Sequence, residues 1–165
     1  RRRQRQMCIR DRKYREKQEA LRERIIYARK IIDKVRIPDH ILYIIARLCM
    51  ELQVDGHRPD IVIAQTAIAL AALDARTEVS ADDVRIAAFL ALVHRTRKGG
   101  FLEPPTLEEI HEAFLRAVKD AKAKFKVKIK VKERKASEYL ESAFRRPVVL
   151  EKEQMVRIKA KEFFR

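Results

Sequence analysis

Residues 55–60 read "DGHRPD" and stand between two apolar stretches of helical period. A turn at this point needs a glycine, and Gly56 supplies it. A helix start tolerates a proline, whose missing N–H costs nothing there, and it favours an acid such as Asp60. Neither need calls for His57 and Arg58. On these residues alone, Arg58 is an exposed loop arginine at the mouth of a helix, and what it faces stays open.

The other groups able to do chemistry are scattered. Four histidines, His40, His57, His94 and His111, form no cluster with metal-ligand spacing. His40 and His111 are expected on helix surfaces, and His94 is expected to pack or cap at a helix end. The carboxylate pairs Asp82/Asp83 and Glu108/Glu109 fall in first helical turns, where they complement the helix dipole. Cys8 and Cys49 lack metal-type spacing and are expected as reduced thiols. The one Gly-Gly pair, Gly99–Gly100, ends a helix and makes no phosphate loop. The chain by itself therefore offers no catalytic constellation and no metal site.

The elements that must position these groups are helical. In 165 residues there are 3 Gly, 5 Pro and no Trp, with 47% hydrophobic and 38% charged residues, a composition that favours helices. A first helix is expected at about 14–34, from Leu21, Ile25, Ala28 and Ile32 at helical spacing. Pro38 then opens a second, with Ile41, Ile45, Leu48, Cys49 and Leu52 on one stripe. A third starts near Arg58 and runs to about residue 75. It is apolar nearly all round, which predicts a buried central helix. "SADD" starts a fourth, with Ser80 as N-cap and Asp83 completing a capping box. It runs to about Arg97, with Arg95 and Arg97 neutralising its C-terminus. "TLEE" repeats the device with Thr106 and Glu109, for a fifth helix to about Lys124.

Beyond it the period changes. In "FKVKIKVKE" apolar residues alternate with lysines from Phe125, which predicts a half-buried strand with a basic face. "PVVL" at 147–150 would pair with it, and helices are expected at about 135–144 and 151–164. The net charge is +15, but unevenly spread. Residues 1–36 carry 15 Lys and Arg against 5 acids, residues 37–118 carry 8 against 12, and residues 119–165 carry 16 against 7. The basic ends leave nucleic-acid binding, or a helical protein-interaction module, as an alternative function. "RRRQRQMCIRDR" looks like translated sequencing-adapter sequence, so residues 1–12 are expected to be an artefact or a disordered arm. No apolar run is long enough to span a membrane, and a cytoplasmic location is expected.

The middle of the chain adds a family. "VDGHRPDIVIAQTAIALAALDARTEVSADDV", followed by "HRTR", resembles the C-terminal helical lid of magnesium-chelatase-type AAA+ ATPases, over about residues 16–100. The resemblance implies a mainly α, lid-type bundle at residues 13–100; the basic extension that follows, residues 101–165 with one or two short strands, departs from the family's short lid ending. It implies that Arg58 matches the family's sensor-2 arginine, which points at the γ-phosphate of ATP, with Gly56, His57 and Asp60 supporting the loop. The physics suits that role: helix N-termini attract anions, and a guanidinium offers phosphate a planar fork of donors. Asp60 would hold the helix start or orient Arg58. The family's phosphate loop, acidic metal-holding motif and arginine finger are not among these residues. ATP and Mg²⁺ are thus expected in a parent protein and not on this stretch alone. The implied partners are an upstream AAA+ core, neighbouring subunits of a hexameric ring and other chelatase subunits. The implied work is ATP-driven insertion of Mg²⁺ into a porphyrin, or of Co²⁺ in related enzymes.

Overall fold

The computed structural model describes residues 2–129 and 131, with side chains from Tyr14 onward except Glu16. Five helices follow in order: α1 (Arg2–Ile31), α2 (Asp39–Glu51), α3 (Arg58–Leu73), α4 (Ala81–Leu92) and α5 (Leu107–Phe125). Short 3-10 turns lie at Ile32–Lys34 and Lys98–Gly100. Helix α1 starts at Arg2, so the backbone of the first dozen residues continues into the helix that "YREKQEALRERIIYARK" builds. Its last turn tightens at Ile32–Lys34 and not at a continuous end near residue 34.

The fold pairs α3 with α4 and α2 with α5, and α1 lies against α3. Ile41, Ile44 and Leu48 of α2 meet Ile110, Phe114 and Ala117 of α5 in one core. Burying a side chain of this size stabilises a fold by about 1.5–3 kcal/mol. The core thus continues past residue 100, because α5 turns a full apolar face to α2.

Helix α3 is not the central element that its composition predicts. Only Pro59, Ile63, Ala67, Ala71 and Ala72 of its sixteen residues are buried, and Ile61 is 57% exposed. The central helix is α4, in which ten of twelve residues are buried, Asp83 and Arg85 included. Arg85 survives burial by an ion pair to Asp82 at 2.9 Å and by lying over the Phe114 ring, 5.8 Å from its centroid. Helices α1, α2 and α4 all touch α3, yet they leave most of its residues only partly covered, whereas α3 and α5 between them enclose nearly all of α4. Apolar composition therefore overstated the burial of α3.

Two linkers hold the helix ends together. Arg36 and Glu78 form a parallel bridge, with Arg36 N–H donating to the Thr77 carbonyl at 2.9 Å and Val79 N–H to the Arg36 carbonyl at 3.1 Å. On α1, Arg24 donates to the Leu73 carbonyl at 2.6 Å and pairs with Asp74 at 2.7 Å, closing the C-terminus of α3.

The expected strand after α5 does not form among the described residues. Phe125 ends the helix, Lys126 takes a left-handed φ of 52°, and residues 126–129 and 131 join no ladder. A lone strand has no bonding partner in water, and here Ile129 and Val131 settle on the helical core instead. The expected elements at 135–144, 147–150 and 151–164 lie outside the described residues.

Candidate functional site

The "DGHRPD" loop is a turn clamped from one side and open on the other. Gly56 has φ +74°, and a Cβ there would meet nothing within 4 Å, so backbone conformation and not crowding demands the glycine. That region costs other L-residues about 1 kcal/mol or more. Asp55 provides the clamp. Its two carboxylate oxygens accept the Gly99 N–H at 2.9 and 3.0 Å, and its own N–H donates to the Thr96 carbonyl at 3.3 Å. Lys98 N–H donates to the Gln53 carbonyl at 3.3 Å, and Val54 and Arg97 form an antiparallel bridge.

Arg58 is the first residue of α3. It is exposed, and no hydrogen bond or ion pair engages it among the described residues. His57 precedes it, also exposed, and makes no side-chain cap. Pro59 is buried and fixes the first turn. Asp60 turns inward: its Oδ1 is buried without a partner, and its carboxylate faces the buried Cys49 thiol. Burial first, and the Asp60 carboxylate second, push that thiol far above its ordinary range. Asp60 makes no ion pair with Arg58 among the described contacts.

The other helix starts differ. Ser80 has φ −101° and ψ 163°, and its N–H and hydroxyl both donate to Asp83, at 2.9 and 2.8 Å. Arg76 grips the same carboxylate with both terminal nitrogens, at 2.8 and 2.7 Å. That hydrogen bonding holds Arg76 even more firmly in its charged form. Thr106 and Glu109 complete the second expected box at 3.2 and 3.1 Å. The entry to α3 has φ −94° and ψ −5°, already helical, so no side chain there is set to cap. An N-cap normally needs extended backbone for its side chain to reach back.

Three further expectations need correction. His40 and His111 are not plain surface residues. His40 lies edge-on to the Phe125 ring, with centroids 6.5 Å apart. His111 carries a buried Nδ1 without a partner, and burial, then the nearby Arg85 charge, lower its pKa. Arg97 does not neutralise α4, which ends at Leu92. Its Nε donates to the Glu103 carbonyl at 2.7 Å and its guanidinium pairs with Glu109 at 3.3 Å. His94 is exposed beyond that helix end. Sequence reasoning also missed Asp55, whose partner Gly99 lies 44 residues away. The Lys98–Gly100 turn was legible only as a helix stop. Among the described residues no His, Cys, Asp or Glu group could hold a metal ion, and no helix is long and apolar enough to cross a membrane.

Comparison with known proteins places likenesses over the same stretch of chain. Residues 42–113 match the AAA lid domain family. A magnesium-chelatase subunit ChlI homolog of Methanocaldococcus jannaschii is 48% identical over 97 residues, covering 59% of this chain and 26% of that protein. The magnesium-chelatase 38 kDa subunit of Chlorobaculum parvum is 47% identical over 81 residues, 49% of this chain and 23% of the relative. The magnesium-chelatase subunit ChlI of Olisthodiscus luteus is 49% identical over 86 residues, 52% of this chain and 26% of the relative. The chain spans about a quarter of the length of these relatives. Over the matched residues, its helical bundle is similar to the AAA lid domain of magnesium-chelatase subunits.

Proposed function

We propose that this bundle closes over ATP in a chelatase-like motor and that Arg58 is its sensor-2 arginine, directed at the terminal phosphate. The single observation that carries the reading is the start of α3: an exposed guanidinium, unpaired among the described residues, on an uncapped helix N-terminus. The first N–H groups of a helix attract anions, and at α4 and α5 the protein's own side chains use up that capacity. Asp55 and Gly56 supply the loop, while Asp60 seats the helix start on Cys49.

In this reading an upstream AAA+ core, as a separate domain, supplies the phosphate loop and the Mg²⁺ that accompanies ATP. Neighbouring ring subunits and other chelatase subunits complete the machine, whose work is metal insertion into a tetrapyrrole. Residues 13–100 act as the lid, and 101–165 add an extension whose first helix is welded to the lid core. The uncovered side of α3, with Ile61 exposed three residues from Arg58, suits docking on that core. The compartment is the aqueous one where the relatives' chemistry would run. The test is Arg58→Ala in the intact ATPase. Turnover is expected to fall about 10³-fold, the scale on which arginines stabilise phosphoryl transfer. Unchanged turnover would overturn the reading.

A second reading rests on the end of α5. Lys119, Lys122, Lys124, Lys126 and Lys128 are all exposed and have no carboxylate partner among the described residues. Lys124 lies over the Tyr43 ring, 4.3 Å from its centroid, with Phe125 beside it. Such a surface can track phosphates with a steep salt dependence. DNA and RNA that fail to bind at low salt would remove this reading.

A further inference from the structure

We propose that Asp55 is the positioning residue of the phosphate sensor, coupling the placement of Arg58 to the turn that follows α4. The inference rests on the reading of Arg58 above. A loop aims a side chain well only if its backbone is fixed. After Arg58 the buried Pro59 and the inward-facing Asp60 hold the helix; before it Gln53, Asp55, Gly56 and His57 are exposed, and nothing lies within 4 Å of where a Gly56 side chain would begin. On that side it is the Asp55 clamp that ties the loop to the rest of the bundle. Both carboxylate oxygens converge on one amide, Gly99 N–H, and two backbone bonds and the Val54–Arg97 bridge flank it.

The receiving turn is itself rigidly held. Lys98, Gly99 and Gly100 all have positive φ, at 48°, 65° and 90°. Gly100 N–H donates to the Arg97 carbonyl at 3.0 Å, and Leu102 N–H to the same carbonyl at 3.3 Å. Arg97 is tied to Glu103 and to Glu109, which also caps α5. A continuous chain of bonds thus runs from the N-terminus of α5 through Arg97 and Gly99 to Asp55, three residues before Arg58. Asp55 itself touches no phosphate in this scheme. It sets where the first turn of α3 begins, and a misplacement of about 1 Å in a positioning group can cost a rate up to about 10²-fold.

The test has two readouts. In the 165-residue chain, Asp55→Ala is expected to speed amide exchange at Gly99 at least about tenfold, as the loss of a protecting hydrogen bond does. In the intact ATPase the same change is expected to lower kcat about tenfold or more, with KM for ATP altered less than about twofold. Asp55→Asn keeps one acceptor oxygen for Gly99 and is expected to restore most of both. If Asp55→Ala frees Gly99 yet leaves kcat intact while Arg58→Ala is crippled, the inference falls and the phosphate reading stands. If Arg58→Ala is also harmless, both fall. If Asp55→Asn fails as badly as alanine and lowers the thermal midpoint equally, Asp55 is merely structural and the inference falls.

Discussion

Helices α3 and α4 lie side by side, yet their N-termini are built in opposite ways. At α4 the chain spends Ser80, Asp83 and Arg76 on closing the helix start, and their polar atoms bond to one another around the buried Asp83 carboxylate. At α3 it spends nothing: His57 does not cap, and Arg58 points a charge at water. One end is closed by the protein's own side chains, and the other is left open. A polar group that no internal partner satisfies is costly when buried and cheap when exposed. The open end is therefore tolerable only because it sits on the surface.

This contrast can be broken by mutation. Under the proposed function, the largest effect is expected from Arg58→Ala in the parent ATPase, about 10³-fold in turnover. Its unfolding free energy should move by less than about 0.5 kcal/mol, as for other exposed sites. Asp83→Ala should do the reverse. It removes a cap and leaves Arg76 short of its main partner, so a loss of about 3 kcal/mol is expected in urea denaturation. A turnover defect from Asp83→Ala in a still-folded protein, matching that of Arg58→Ala, would erase the distinction.

Smaller changes sharpen it. Gly56→Ala should cost about 1 kcal/mol through its positive φ alone, measured by thermal unfolding. His57→Ser should gain less than about 0.5 kcal/mol although serine is a favoured cap, because the backbone there is already helical. A full capping gain would show that the α3 start can close. The smallest effect is expected on the α4–α5 seam. His111 is held neutral by burial and by Arg85, so its folded pKa lies below the unfolded value near 6.5. Its contribution to stability is full above that value and declines as pH falls towards the folded pKa. His111→Gln should flatten this slope in denaturation curves between about pH 7 and 5, leaving the α3 end untouched.

Much of the fold was legible because its signals are local. Both capping boxes, the start of α3 at Arg58 and the apolar stripes of α2 and α5 follow from residues within a turn or two of each other. The central position of α4 was not legible. Its Asp83 and Arg85 look like surface residues until their partners Arg76, Ser80, Asp82 and Phe114 are seen around them. His57 and Arg58 stood out in the loop because neither the turn nor the helix start calls for them, and Gly56 because the turn does. Asp55 did not, since an acid before a glycine in a turn is commonplace and its partner is non-local. The alternating lysines after Phe125 followed strand period, yet period alone cannot supply the second strand that a ladder requires.

Cys49 gives the α3 start a clock. Its thiol is buried, and its proton is held so tightly that almost no thiolate exists at neutral pH. Alkylating reagents react with thiolate, so modification must wait until α2 and α3 part and Asp60 swings away. In a Cys8→Ser chain the rate of alkylation would therefore count the opening events beneath the "DGHRPD" loop, one molecule at a time. If this end binds ATP in a larger ATPase, as proposed, ATP would slow that count.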